Sequence, residues 1–123
     1  MADEITLTVQ LRVSKGNFDP GTVRFSNLQF DQTAIGKAGG VQEISTSEEN
    51  LNSGDLTNVG WLLMKNLDDT NYVQWGQDNS STMQTVGRME AGEVALLRVE
   101  PGIGVRLKAN TAAVDIEFHW FED

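Results

Sequence analysis

The stretch ITLTVQLRVS, residues 5–14, decides the fold class because its apolar and polar side chains alternate without a break. The odd-numbered positions carry Ile, Leu or Val, and the even-numbered positions carry Thr, Gln, Arg or Ser. Such alternation indicates a β-strand with one buried face, since successive side chains point to opposite faces of a sheet. We therefore expect the apolar face of this strand to lie in a core.

A second strand is predicted at about residues 22–32, after turn chemistry in the segment NFDPG, residues 17–21. Its apolar residues change parity near residues 26–27, which predicts a β-bulge or a strand bend there. The residues that show the change are Val23 and Phe25, then Leu28 and Phe30. The two strands either form a hairpin or belong to facing sheets. Residues 1–32 either project as an arm or edge hairpin that adds a strand to a neighbour, or pair inside their own domain.

The stretch VDIEFHW, residues 114–120, repeats the alternation. By parity, Phe118 and Trp120 face the core. Two inner stretches, WLLMKN at residues 61–66 and VALLRV at residues 94–99, are apolar on both parities. This pattern is typical of strands that are covered on both faces. We therefore expect both inner strands to be buried in the centre of a sheet.

The segment between residues 33 and 60 carries weaker signals. Its glycines indicate a loop, and they are Gly36, Gly39 and Gly40. A short strand is predicted at residues 41–44. The Thr-Ser-Glu-Glu of residues 46–49 resembles a helix start, but no apolar helical stripe follows it, so we predict a loop there, either irregular or with one helical turn.

Turn residues recur every 8 to 15 positions, which gives eight or nine short strands. This spacing favours an antiparallel sandwich, a jelly roll or a small barrel. We predict an all-β fold in which residues 1–123 form a single antiparallel β-sandwich domain, jelly-roll-like.

Composition limits the partners. The 123 residues include 18 acidic, 9 basic and no cysteine residues, for a net charge of -9. The basic residues are scattered, so an acidic chain would repel a phosphate backbone, and we predict no nucleic-acid partner. No apolar run approaches the ~20 residues of a membrane-spanning helix. The acidic start at Met1–Glu4 lacks the basic residues and apolar run of a leader, so we predict a soluble protein without a membrane partner.

Few residues suggest catalysis. His119, the single histidine, is expected to be an exposed strand residue without the partners of a catalytic base. Asp68 and Asp69 fit a solvated turn better than a Ca²⁺ site or a pair of catalytic carboxylates. The glycines at residues 36–40 and 102–104 lack the order of a phosphate-binding loop. We predict no catalytic, cofactor-binding or metal-binding residues, and a protein that is not an enzyme.

Tyr72 and Trp75 are the candidate interface residues. They have opposite parity in one predicted strand, so they should face opposite sides of it. The side chain that faces solvent would be an anchor for a partner, because large aromatic side chains dominate interface energetics. Placement in the core is the alternative for each of them.

Several segments resemble small virion structural proteins of tailed bacteriophages. The main ones are NLD at residues 66–68, TNYV at 70–73, GEVALLR at 92–98 and the run at 108–117, with weaker cues at 46–49 and 60–61. The resemblance implies a β-sandwich that assembles on or in a phage particle, as capsid decoration proteins and tail components do. It implies partners among virion proteins, the major capsid protein first, and location in the virion after synthesis in the host cytoplasm. It carries over no catalytic residue.

The sequence thus supports a capsid decoration (cement) protein that binds the outer shell, as a homo-oligomer for which a trimer is one arrangement. Many copies on a symmetric lattice would gain affinity through avidity. A tail or neck component is one alternative. A carbohydrate-binding β-sandwich module that uses Tyr72 or Trp75 for stacking is another.

Overall fold

The computed structural model describes residues 4–123, so Met1–Asp3 of the acidic start and of the predicted 1–32 segment lie outside the described residues. The described part is all-β and antiparallel, and it contains no helix that is long and apolar enough to span a membrane. The strands are β1 (Ile5–Lys15), β2 (Phe18–Phe30), β3 (Lys37–Ile44), β4 (Glu49–Asn50), β5 (Val59–Asn66), β6 (Val73–Asn79), β7 (Thr82–Met89), β8 (Val94–Arg98), β9 (Val105–Ala109) and β10 (Val114–Glu122).

The chain divides into two compact units, one that ends at Thr33 and one that runs from Ala34 to Asp123. In the first unit, β1 and β2 form a two-stranded antiparallel sheet. The two strands are therefore a hairpin and not members of facing sheets. The single domain predicted for residues 1–123 stays a prediction.

The second unit contains two four-stranded antiparallel sheets. The first has the strand order β3-β10-β5-β8 and the second has the order β4-β9-β6-β7. Strand β10 lies inside the first sheet, where Ile116 is opposite Gln42 of β3 and Asn66 of β5. Its side chains alternate between buried and more exposed positions because only one of its faces is covered by the core.

Side chains from both sheets form one apolar core. The first sheet contributes Leu62, Ile116 and Trp120, and the second contributes Val73 and Leu107, all at most 1% exposed. Two antiparallel sheets that share a core between their inner faces are a β-sandwich. The predicted all-β antiparallel fold is confirmed, and so is the core placement of Phe118 and Trp120.

The predicted burial of β1 is wrong. Val9 is 40% exposed and Leu11 is 61% exposed, so the apolar face of β1 is open to solvent. The predicted two-sided burial of residues 61–66 and 94–99 is also wrong, since Leu63 and Val94 are exposed on the outer face of the first sheet. Strand β8 lies at the edge of this sheet and not in its centre.

Two local predictions are only partly right. Gly36 lies before β3 in a loop, as predicted, but Gly39 and Gly40 lie within β3, which pairs with β10 along its full length and includes the strand predicted at 41–44. Glycine is needed there at Gly39, where a Cβ atom would lie 2.7 Å from the carbonyl oxygen of Phe118. Residues 45–48 form the predicted loop without a helical turn, and Glu49, which begins β4, accepts a hydrogen bond from the backbone N–H of Ser45 at 2.8 Å.

Candidate functional site

The first unit places the apolar side chains of β1 and β2 on one face of the hairpin. We call this the hairpin face, and it is formed by the directly opposed pairs Ile5–Phe30, Leu7–Leu28, Val9–Phe25, Leu11–Val23 and Val13–Gly21. Directly opposed residues in an antiparallel pair lie on the same side of the sheet. Every pair in this set is apolar, so the hairpin face is an apolar strip along most of both strands, and it ends near the turn, where the next opposed pair is Lys15 with Phe18.

A β-bulge keeps this strip on one side. The register shifts between Leu7 and Val9, so that Ser26 and Asn27 together oppose Thr8. Asn27 adopts a φ of 55° and donates its backbone N–H to the hydroxyl of Thr8 at 3.3 Å. The extra residue brings the even-numbered Leu28 and Phe30 to the same face as the odd-numbered Val23 and Phe25. The bulge predicted near residues 26–27 is confirmed.

The hairpin face is open to solvent. Leu11 is 61% exposed, Phe25 is 58% exposed and Val23 is 55% exposed. The largest apolar patch of a monomeric protein is typically ~300–600 Å² and often functional, and larger patches mark interaction sites. The hairpin face is therefore the strongest candidate for a binding surface in the described part of the chain.

The opposite face of the hairpin is polar. It carries pairs such as Gln10 with Arg24 and Arg12 with Thr22. Arg12 also forms an ion pair with Asp19 at 3.0 Å, with both side chains about half exposed. Polar and charged groups such as these lie on the face opposite the hairpin face, so the hairpin is amphipathic.

The turn of the hairpin lies at Gly16 and Asn17, so Asn17 of the predicted turn segment 17–21 is in the turn and the Asp-Pro-Gly part is not. Asp19, Pro20 and Gly21 lie instead within β2, where a second register shift follows Val13. The carboxylate of Asp19 accepts the backbone N–H of Gly21 at 3.1 Å. This local hydrogen bond accounts for the turn-like sequence in a strand.

The predicted interface residues Tyr72 and Trp75 lie in the sandwich and are both half-buried. The ring of Tyr72 is covered by the guanidinium of Arg88, 3.9 Å from the ring centroid. Trp75 lies opposite Gly87, where a Cβ atom would come within 2.8 Å of its ring, and it packs against the core. Their role as interface anchors stays a prediction.

A groove of about 430 Å³ lies beside Trp75, between the edge strands β7 and β8. Its apolar lining includes Val86, Leu97 and Ile103, and Arg98 and Glu100 also line it. None of these five residues was singled out from the sequence as a site residue, because the sandwich alone brings Val86 and the segment 97–103 together beside Trp75.

Of the polar residues singled out from the sequence, Asp68 and His119 have partners within the chain. Asp68 accepts the backbone N–H groups of Asn71 at 2.6 Å and of Thr70 at 3.0 Å, and these hydrogen bonds lower its pKa. The Nε2 atom of His119 lies 2.8 Å from Glu117 on the outer face of the first sheet. Among the described residues, no three acidic or histidine side chains converge as metal ligands.

The least exposed cation of the ion pairs in the described chain, Arg106, is also structural. Its side chain is 12% exposed and lies 3.6 Å from Asp78 and 3.8 Å from Glu48. It also donates hydrogen bonds to the side chain of Asn50 at 3.2 Å and to the carbonyl of Glu48 at 3.3 Å. These contacts hold β4 to β9 and β6, so the two carboxylates neutralise a buried charge.

Comparison of the chain with protein-family models, with curated proteins and with solved structures gave no match. The resemblance to virion structural proteins therefore stays a prediction. The residues themselves define an antiparallel β-sandwich with an amphipathic hairpin that has an exposed apolar face.

Proposed function

We propose that this chain is a structural protein of a bacteriophage particle, most concretely a capsid decoration protein that binds the outer shell. The observation that carries the proposal is the exposed hairpin face. An isolated two-stranded hairpin is marginally stable in water, and it becomes stable when its apolar side is covered. A chain that keeps such a surface uncovered is suited to assembly with other protein molecules.

The strand order of the sandwich supports the same proposal. A jelly roll has eight strands in two sheets, and the two four-stranded sheets ordered β3-β10-β5-β8 and β4-β9-β6-β7 support the prediction of a jelly roll. Jelly rolls occur in viral capsid domains and also in lectins and cupins. The order thus favours the jelly-roll prediction, and it leaves the choice of partner to the hairpin and to experiment.

The proposed mechanism is multivalent attachment. Copies joined into a homo-oligomer present several sandwiches to a symmetric shell, and each further contact becomes intramolecular after the first one forms. Weak single contacts then suffice for occupancy at every equivalent site. Binding should therefore saturate at a copy number that is fixed by the shell lattice.

Cryo-electron microscopy of phage capsids that lack the protein, mixed with the purified chain, tests the proposal. Ordered density at symmetry-equivalent positions on the outer shell supports decoration. Shells that stay bare overturn decoration, and images of whole particles then show whether the tail or neck carries the protein.

A carbohydrate-binding module is the second candidate, and the groove beside Trp75 is the observation that favours it. A glycan screen followed by titration calorimetry tests it. Val86→Arg should abolish binding, because Val86 lines the groove and is 71% exposed. Val94→Arg, a change at a 62% exposed residue outside the groove lining, is the matched control. A screen without a hit overturns this candidate.

A further inference from the structure

We infer that the hairpin face binds the hairpin face of a second copy of this chain. The inference rests on the proposed assembly function and names the partner of its main surface. Its test is independent of any capsid, because self-association is measured on the purified chain alone.

The chemistry of the hairpin face favours a like partner. Its five opposed pairs contain no charged and no polar side chain. A second hairpin face offers the same composition, so contact between the two buries only methyl groups and rings. The outer face of the first sheet is a poorer partner, because Lys65 and Glu117 stand opposite each other among its exposed residues. Burial of such charges carries a desolvation penalty.

The area is sufficient for a specific contact. Seven side chains of the hairpin face are 37% to 61% exposed. Side chains of this size present roughly 150–200 Å² each, so one face offers on the order of 600 Å². Two faces together then exceed the ~1,000 Å² that a biological interface should bury.

The distribution of charge points the same way. Fourteen of the 18 acidic residues and six of the 9 basic residues lie in residues 34–123, a net of -8 out of -9. The segment 1–33 is therefore close to neutral. Contact through the hairpins brings together the segments that repel least, whereas contact between two sandwiches brings together the acidic ones.

The dimensions of the hairpin are compatible with a compact pair. Strand β1 has 11 residues, a length of roughly 35 Å at the rise of an antiparallel strand. Two sheets pack face to face at a distance of about 10 Å. Two hairpins stacked in this way form a small two-layer sandwich, and three hairpins enclose the same side chains around a threefold axis.

Sedimentation velocity of the full chain is the first test. The wild-type chain, of 13.5 kDa, should sediment as a dimer or a trimer at micromolar concentration. Leu11→Glu should weaken association by at least ~10-fold, because it places a charge in the contact. Gln10→Glu adds the same charge one residue away on the polar face and should associate like wild type. A monomeric wild type, or equal association of both variants, overturns the inference.

Folding of the variants can be monitored separately. The three tryptophans, Trp61, Trp75 and Trp120, all lie in the sandwich, and the hairpin has none. Tryptophan emission that matches wild type therefore shows that the sandwich of a variant is intact while its association is measured.

Cysteine cross-linking is the second test, because the chain contains no cysteine of its own. Val9→Cys places a thiol in the middle of the hairpin face, and mild oxidation should join two chains through it. Gln10→Cys, on the opposite face, should stay unlinked. A mixture of Val9→Cys and Leu63→Cys chains tests contact with the outer face of the first sheet. Preferential joining of these two different chains would overturn face-to-face pairing of hairpins.

The two proposals fail separately. A chain that associates through its hairpins and leaves shells bare overturns decoration alone. A chain that binds shells while Leu11→Glu and Gln10→Glu associate equally overturns hairpin pairing alone.

Discussion

Asn66, at the end of β5, organises two turns of the sandwich although it is fully buried. Its side-chain N–H₂ donates to the carbonyls of Asn71 at 2.9 Å, Met89 at 3.1 Å and Glu90 at 3.3 Å. Its side-chain oxygen accepts the backbone N–H of Asp68 at 2.8 Å. The side chain thus ties the turn after β5 to the end of β7.

We expect Asn66→Leu to lower the free energy of unfolding by about 2–4 kcal/mol, because it leaves buried backbone groups without partners. Asn66→Asp keeps the shape but places a carboxylate against the same carbonyls, so its loss should be greater at pH 7 than at pH 4. Urea unfolding followed by tryptophan emission measures both. An Asn66→Leu variant as stable as wild type would show that the two turns hold without this side chain.

Two carboxylates, Glu49 and Asp68, should make the stability of the fold sensitive to acid. Burial raises the pKa of Glu49, but hydrogen bonds from Ser45 and Gln42 outweigh it and leave the pKa below its ordinary value of 4.5. The backbone N–H groups of Asn71 and Thr70 lower the pKa of Asp68 from 3.8. A folded-state pKa below the unfolded one gives stability that is complete above the unfolded pKa and is lost as the pH falls through the folded pKa.

The Tm should therefore be steady near neutral pH and should fall as the pH drops below about 4.5. Glu49→Gln cannot ionise, so its Tm should fall less between pH 5 and pH 3 than that of wild type. Asp55→Asn, a change at an exposed loop carboxylate, is the control and should follow the wild-type curve. If the Tm of Glu49→Gln and the Tm of wild type fall equally between pH 5 and pH 3, Glu49 does not contribute to the acid sensitivity.

At the scale of the element, β1 and β10 show what alternation does and does not predict. Both strands were predicted from the same pattern, and both are strands. Alternation reveals that one face is apolar, but the covering surface comes from elsewhere in the chain or from another chain. In β10 the second sheet covers that face, and Ile116 is fully buried. In β1 the equivalent face is exposed.

A pair of matched substitutions tests this difference. Ile116→Asp should unfold the sandwich, because an unpaired buried carboxylate costs several kcal/mol, a large part of the stability of a small domain. Val9→Asp should leave the thermal unfolding of the sandwich unchanged, because Val9 is 40% exposed in the other unit. Thermal denaturation followed by tryptophan emission distinguishes them. Loss of the sandwich in Val9→Asp would mean that β1 belongs to its core.

The prediction that β5 and β8 are buried on both faces was wrong for a related reason. Leu63 and Leu96 lie opposite each other on the outer face of the first sheet, 41% and 38% exposed. A run that is apolar on both parities looks the same whether a second layer covers it or not. The groove beside Trp75 was missed because proximity between segments far apart in sequence leaves no local pattern.

At the scale of the whole molecule, every buried apolar residue of the described chain lies between Ile44 and Trp120. The sandwich thus contains its own core. Deletion of residues 1–33 should leave a folded product with wild-type tryptophan emission and a Tm within a few degrees of the full chain. The same product should have lost self-association in sedimentation velocity. An aggregated or unfolded product would assign the first two strands to the domain itself.

The bulge at Asn27 has a consequence for the limits of assembly. A long apolar ribbon with free edges is a template for open-ended strand addition, the route to amyloid-like fibres. The extra residue and its left-handed backbone twist the ribbon, and Pro20 in the same strand has no N–H to offer to an incoming chain. Addition of further strands to the edges of the hairpin is therefore hindered, while the hairpin face stays available for contact. The hairpin can therefore associate through its apolar face without growing into a fibre through its strand edges, which is compatible with an assembly of fixed size.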